Sequence, residues 1–235
     1  MIYITGDTHG DYDIRKLSSE NFPDGKALTR SDYLIVCGDF GLVWDDSPEE
    51  HYWRNWLENK PWTTLWIDGN HENFDMLDRF DTDGWHGARV QYISDHIIHI
   101  MRGESFELEG KRFFCFGGAE SHDKELRRAG VSWWAEELPS PAEMEHGRKT
   151  LEAIGWKTDI VITHSFPGKI QEARYGKYEF PSNELNRYFD EIAQKLSFRL
   201  WFSGHYHLDE SCGEKYHFIY NSIVKLTDTG FEYVG

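Results

Sequence analysis

Five times along the chain a short apolar run, rich in β-branched residues, breaks off into a polar turn. Ile2 to Thr5 ends in Gly6-Asp7-Thr8-His9-Gly10, Asp32 to Cys37 in Gly38-Asp39-Phe40-Gly41, and Thr63 to Ile67 in Asp68-Gly69-Asn70-His71-Glu72. Asp159 to Thr163 delivers His164, and Phe198 to Phe202 delivers Ser203-Gly204-His205-Tyr206-His207. Such runs read as buried strands. Between them the pattern changes to helical spacing. Tyr12 to Ser19 predicts a short helix, followed by a polar connection from Phe22 to Arg30. A longer helix starts at Ser47, with Pro48 in its first position and Glu49 and Glu50 at its amino end. It runs to about Asn59 and gathers Trp53, Trp56 and Leu57 on one face. Pro141 to Ile154 reads as helix. Ser182 to Leu196 is amphipathic, with Leu185, Tyr188, Phe189 and Ile192 on its apolar side and Ser182 as the expected cap. Pro167-Gly168 is expected to turn the chain away from His164.

From Val90 the runs shorten into an antiparallel section, with strands at His96 to Met101, Ser105 to Leu108 and Lys111 to Phe116. From Lys215 the chain reads as closing strands around the Asn221-Ser222 and Thr229-Gly230 turns. Alternating strands and helices imply an α/β fold built on a mainly parallel sheet, with functional groups collected at the carboxyl edges of its strands. No internal repeat, low-complexity segment or linker interrupts the 235 residues, so a single domain spanning 1–235 is expected.

The chain carries ten Trp, twelve Tyr and fifteen Phe, which read first as a well-filled core. Its formal charge of −16 argues against an extended nucleic acid as partner, because polyanions are held by clustered Lys and Arg. A small anionic substrate meeting a local metal charge fits better. Cys37, Cys115 and Cys212 have no metal-ligand spacing, and the first two lie in apolar runs, as buried thiols in a reducing compartment do. No apolar run reaches the length of a membrane span, and Asp7 stands too near Met1 for a cleaved leader to precede it. A cytoplasmic protein is expected.

The chemistry lies in the polar turns. Asp7 and His9, two residues apart on one loop, can face a single point, and a carboxylate with an imidazole suits a borderline divalent cation. Asp39, Asn70, His164, His205 and His207 occupy equivalent places after the other runs. The ordered set Asp7-x-His9, Gly38-Asp39, Gly69-Asn70-His71-Glu72, His164 with Pro167 three residues later, and Gly204-His205-x-His207 resembles the calcineurin-like metallophosphoesterase superfamily.

That resemblance implies a four-layer α/β/β/α sandwich of two mixed sheets flanked by helices, carrying two divalent metal ions. Asp7, His9 and His207 would hold one ion, and Asn70, His164 and His205 the other, with Asp39 bridging. The donor set accepts manganese, iron, zinc or nickel, and manganese is favoured. A hydroxide bridging the pair would attack phosphorus, making the protein a phosphatase or phosphodiesterase acting on a small phosphomonoester or phosphodiester. His71 resembles the family's catalytic histidine and, as imidazolium, would donate to a phosphoryl or leaving oxygen. Glu72 would support a ligand or His71 from behind.

The chain departs from protein-phosphatase members after Gly38-Asp39. They continue with an acidic residue and a phosphate-contacting arginine, whereas this chain reads Phe40-Gly41-Leu42-Val43. Lys124, Arg127 and Arg128 are candidate substitutes for that cation, with Trp133 or Trp134 beside a substrate ring. The alternatives are a nuclease or nucleotide phosphodiesterase, and a non-catalytic metal-binding scaffold for a protein partner.

Overall fold

The computed structural model describes residues 1–176 and 181–234. The strands are β1 (Ile2–Thr5), β2 (Tyr33–Val36), β3 (Thr63–Trp66), β4 (Thr82–Trp85), β5 (Ala88–Ser94), β6 (Ile97–Ile100) and β7 (Glu104–Leu108). They continue as β8 (Lys111–Phe116), β9 (Ile160–Thr163), β10 (Leu200–Ser203), β11 (Glu210–Cys212), β12 (Tyr216–Phe218), β13 (Ile223–Leu226) and β14 (Phe231–Tyr233). The helices are α1 (Pro48–Glu58), α2 (Phe74–Leu77), α3 (Pro141–Ala153), α4 (Gly168–Tyr175) and α5 (Glu184–Lys195).

One sheet runs β14-β13-β1-β2-β3-β6-β5-β4 and the other β11-β12-β10-β9-β8-β7. In the first, β1, β2, β3 and β6 are parallel; in the second, β8, β9, β10 and β12 are. Antiparallel strands finish the edges of both. The continuous apolar runs are explained by what covers each face. Ile2, Ile4, Ile35, Cys37, Leu65 and Ile67 meet Phe113, Cys115, Ile160, Ile162, Leu200 and Phe202 between the sheets. The alternate residues Tyr3, Leu34, Val36 and Trp66 pack with Trp53 and Leu57 of α1. On the far side Phe114, Phe116, Val161 and Trp201 pack with Met144 and Leu151 of α3 and with Leu185, Phe189 and Ile192 of α5. Each such side chain contributes about 1.5–3 kcal/mol on full burial. The result is a sandwich of two mixed sheets flanked by helices.

Local chemistry explains where the helices begin. Ser47 caps α1 by accepting from the Glu50 backbone N, and Ser140 opens α3 with a reciprocal bond to Glu143. Three expectations need correction. The stretch Tyr12 to Ser19 forms only a 3₁₀ turn, Ile14–Leu17, because its two buried side chains are three residues apart and one tight turn places both. Helix α5 is capped by Asn183 rather than Ser182, since Asn183 and Asn186 exchange side-chain to backbone bonds at 3.0 and 3.1 Å. Pro167-Gly168 opens α4 instead of leading the chain away, with the Pro167 carbonyl accepting from Ile170 and Gln171. Cys37 and Cys115 are buried free thiols. No helix among the described residues is long and apolar enough to cross a membrane.

Candidate metal centre

The five polar turns meet where the carboxyl ends of β1, β2 and β3 in one sheet face those of β9 and β10 in the other. Asp39 stands between them. Its Oδ1 is 3.1 Å from His164 Nε2 and its Oδ2 is 3.3 Å from His9 Nε2. Asp7 Oδ2 lies 3.3 Å from His207 Nε2 and 3.9 Å from His9 Nε2. Asn70 turns its Oδ1 to within 3.2 Å of His164 Nε2 while its amide nitrogen donates to Ser121 Oγ. The His205 backbone N donates to both oxygens of Asp7, and its ring stands 5.1 Å from that of His164. Three groups therefore offer ligand atoms within 4.8 Å of one another: Asp7, His9 and His207; Asp7, Asp39 and His164; and His9, Asp39 and His71.

The backbone is bent to achieve this. His9, Asp39, His205 and His207 have φ of 40°, 46°, 71° and 50°, left-handed conformations that cost non-glycine residues about 1–3 kcal/mol each and cluster at functional sites. The neighbouring glycines make room for candidate ligands on other loops. A Cβ on Gly69 would lie 2.1 Å from Asp39 Oδ1, and one on Gly204 would lie 2.1 Å from Asp7 Oδ1. The Asp39 turn is fixed by buried Glu72, whose carboxyl oxygens accept from the Phe40 N at 2.6 Å and the Gly41 N at 3.3 Å. Glu72 thus acts on the backbone that carries Asp39.

The electrostatics suit a cation. Asp7 and Asp39 are fully buried, and among the described residues their ion-pair partners are histidines alone. Burial works against the Asp39 carboxylate, yet the His164 charge and hydrogen bond hold its pKa well below the usual range. Burial likewise opposes the charged forms of His9 and His164, but Asp39 raises them to about 9 and about 10. Burial, with His164 alongside, pushes His205 down to about 3. Two buried carboxylates thus draw protons onto facing imidazoles, and divalent cations would neutralise the same carboxylates while leaving those rings neutral. The oxygen and nitrogen donors, together with the space the glycines keep open, fit such ions.

Outer partners aim the candidate ligands. Asp13 Oδ2 is 2.6 Å from His9 Nδ1, and the Cys37 carbonyl is 2.7 Å from His164 Nδ1, which turns both Nε2 atoms inward. Lys16 donates to the carbonyls of Gly6, Asp7 and Tyr220, tying the first loop to the last. Of these, only Asp13 left a trace in the sequence, four residues after His9; Ser121 and Lys16 left none.

A cleft of about 550 Å³ opens beside the centre, lined in part by His9, His71 and His207. The His71 backbone N donates to Asp39 Oδ1 at 2.7 Å, and its ring meets Arg127, with Nη1 2.9 Å from Nδ1 and Nη2 3.4 Å from Nε2. A guanidinium only donates and a neutral imidazole accepts at one nitrogen, so the shorter contact assigns Nδ1 as the acceptor. Burial lowers the pKa of His71, Asp39 opposes that, and Arg127 adds to it. Burial and Arg127 thus disfavour the imidazolium form of His71 in the absence of substrate, and the cation beside its ring is Arg127. Lys124 pairs with Glu120 and Arg128 is exposed; neither lines this cleft. Trp134 is buried against Trp44 with its indole N–H on Asp75, so it is packing rather than a substrate platform. The segment that lacks the expected arginine has become core as well: Phe40, Leu42 and Val43 are buried, and Phe40 stacks on Trp66 at 4.4 Å.

The family model of calcineurin-like phosphoesterases matches residues 1–209. Among solved structures, a Staphylococcus aureus protein described as a 5′-nucleotidase, in complex with α-ketoglutarate, superposes with a TM-score of 0.51 at 14% identity. The match covers 99% of this chain and 52% of the other, so the chain spans about half the length of that protein. At this identity the likeness concerns the fold. No relative among curated proteins matches the sequence.

Proposed function

The chain belongs to the calcineurin-like phosphoesterase family, and on that premise we propose that it hydrolyses a small phosphorylated substrate, a monoester or diester, at a pair of divalent cations. Phosphoester hydrolysis is the activity of the class. Asp7, His9 and His207 would hold one cation, Asn70, His164 and His205 the other, and Asp39 would be shared. Cations bound there would supply positive charge to phosphoryl oxygens and a water of lowered pKa. Manganese is the favoured ion.

The observation that carries this reading is the placement of Asp39, whose two oxygens address histidines delivered by opposite sheets. Glu72 fixes the turn that presents it. His71 stands at the mouth of the cleft and, as a neutral ring, offers an N–H to a phosphoryl or leaving oxygen. Arg127, now held by Asp123 at 2.7 Å as well as by His71, would turn toward phosphate to supply the charge that protein-phosphatase members draw from the segment occupied here by Phe40 to Val43. The cleft is lined by Asp11 and Asp13 rather than by lysines, which argues against a nuclease holding a long phosphate backbone. With no membrane-spanning helix among the described residues, a cytoplasmic site of action remains part of the proposal.

The test is elemental analysis of protein purified without added metal, paired with manganese-dependent cleavage of nitrophenyl phosphate and bis-nitrophenyl phosphate. The expected result is about two ions per chain, cleavage abolished by Asp39→Asn, and His71→Gln retaining its metals while losing most turnover. Protein that takes up no cation and cleaves neither ester with manganese, zinc or nickel would overturn the reading.

A further inference from the structure

The cleft beside His71 has a wall that the hydrolytic machinery does not use. Besides the histidines it is lined by Tyr12, Trp44, Tyr220, Asp11 and Asp13, with no Lys or Arg. Two of the aromatic rings are fixed. Tyr220 stacks on His207 at 4.3 Å with 9° between planes and donates its hydroxyl to Asp13, and Trp44 is held edge-on against Trp134 at 5.4 Å. Tyr12 is 83% exposed and has no side-chain partner among the described residues. A lone exposed tyrosine needs no explanation. One that joins two anchored aromatics on a cleft sharing His9, His71 and His207 with the candidate centre does.

The charge of this wall narrows what it can take. Asp13 is engaged by His9 and Tyr220, whereas Asp11 has no ion-pair partner among the described residues. A ligand here meets aromatic faces and a free carboxylate acceptor. A second phosphate against this wall would meet Asp11 and Asp13 with no Lys or Arg among the lining residues, while a flat ring can stack and give N–H groups to Asp11. The volume suits a ligand of that size.

We propose that this cleft binds the leaving group of the ester, and that the group is a planar ring system bearing N–H donors, as in a nucleoside monophosphate. The proposal rests on the hydrolase reading above and narrows its substrate class. It assigns Tyr12 as a specificity residue that touches the leaving group.

Adenosine 5′-monophosphate and ribose 5-phosphate test it, because both release phosphate from a primary alkoxide and differ in the base. The nucleotide should be favoured in kcat/KM by about tenfold or more, the effect of stacking one base on an aromatic side chain. Tyr12→Ala should bring that ratio to within about threefold, and Tyr12→Phe should keep it. Adenosine 5′-diphosphate would leave its inner phosphate in the acidic cleft and should be cleaved more slowly than the monophosphate; the reverse order overturns the charge argument. Equal cleavage of the two monoesters overturns the cleft assignment and leaves the phosphoesterase standing. If no ester is cleaved with any cation, the hydrolase reading fails by itself, and saturation-transfer NMR with adenosine decides the cleft. Binding that is lost in Tyr12→Ala upholds the cleft, and no binding refutes it.

Discussion

Replacing Gly69 by alanine would place one methyl group at the tightest point of the centre. The new Cβ would stand 2.1 Å from Asp39 Oδ1, 2.4 Å from the Asp39 N and 2.8 Å from His164 Nε2, where ordinary contact begins at 3.4 Å. The first of these is short by about 1.3 Å, the size of displacement that costs on the order of 100-fold in rate when it falls on a positioned group. Asp39 has nowhere to go, since its carboxylate is already engaged by His9, His164 and the His71 N–H. Overpacking at a filled site adds a stability cost of about 1–3 kcal/mol, and each kcal/mol lowers the melting temperature of a chain this long by about 2–4 °C. Gly69 does not have the left-handed φ of Gly38, which is 94°, so the test is steric and free of backbone strain. Gly69→Ala should fold by circular dichroism, melt several degrees lower, bind less than half the wild-type metal and turn over about 100-fold more slowly. Full metal content with turnover within a factor of a few would show that this glycine is not there to make room for Asp39 and His164.

Three other perturbations probe the supports. Glu72→Ala strips the acceptor from the buried N–H of Phe40, at about 1–3 kcal/mol, and from the part-buried N–H of Gly41, and should lower both melting temperature and metal content; an unchanged metal titration would separate Glu72 from the Asp39 turn. Arg127→Ala removes a cation that lowers the His71 pKa, so the acidic limb of the pH–rate profile should move to higher pH as KM for phosphate esters rises; a profile that stays put would detach Arg127 from His71. Burial raises the Asp68 pKa, but Arg102 and His99 outweigh it and hold the group at about 2, below the ordinary carboxylate value of 3.8. That difference contributes about 2 kcal/mol, present above the unfolded carboxylate pKa and lost as pH falls toward 2. Arg102→Met should therefore cost about 3–5 kcal/mol at neutral pH, and adding Asp68→Asn should recover part of it; a double variant no better than the single would refute the pairing.

What could be read from the chain follows from range. The five strand ends were legible because a doubly covered strand must be apolar throughout and the loop after it must be polar, and both marks fall within ten consecutive residues. The companions of the ligands were not. Ser121 reaches Asn70, and Arg127 reaches His71, from across the fold, in a stretch adjoining the Trp134 that packs on Trp44. No local pattern encodes that placement, and three nearby cations looked equally eligible. The choice of Asn183 over Ser182 as a cap turned on the reply from Asn186, since either residue caps well. The contact at His71 was hidden for a similar reason: the guanidinium that meets its ring stands 56 residues away in sequence.

The candidate ligands are divided between the sheets, Asp7, His9, Asp39 and Asn70 following strands of one and His164, His205 and His207 following strands of the other. A cation held by both sets would fasten one open end of the sandwich, as a clasp closes a book. Anything bound only by the folded chain stabilises it in proportion to the logarithm of its concentration. Melting temperature should therefore climb with added cation even in a variant that has lost all turnover, so heat resistance can report occupancy before any substrate is known.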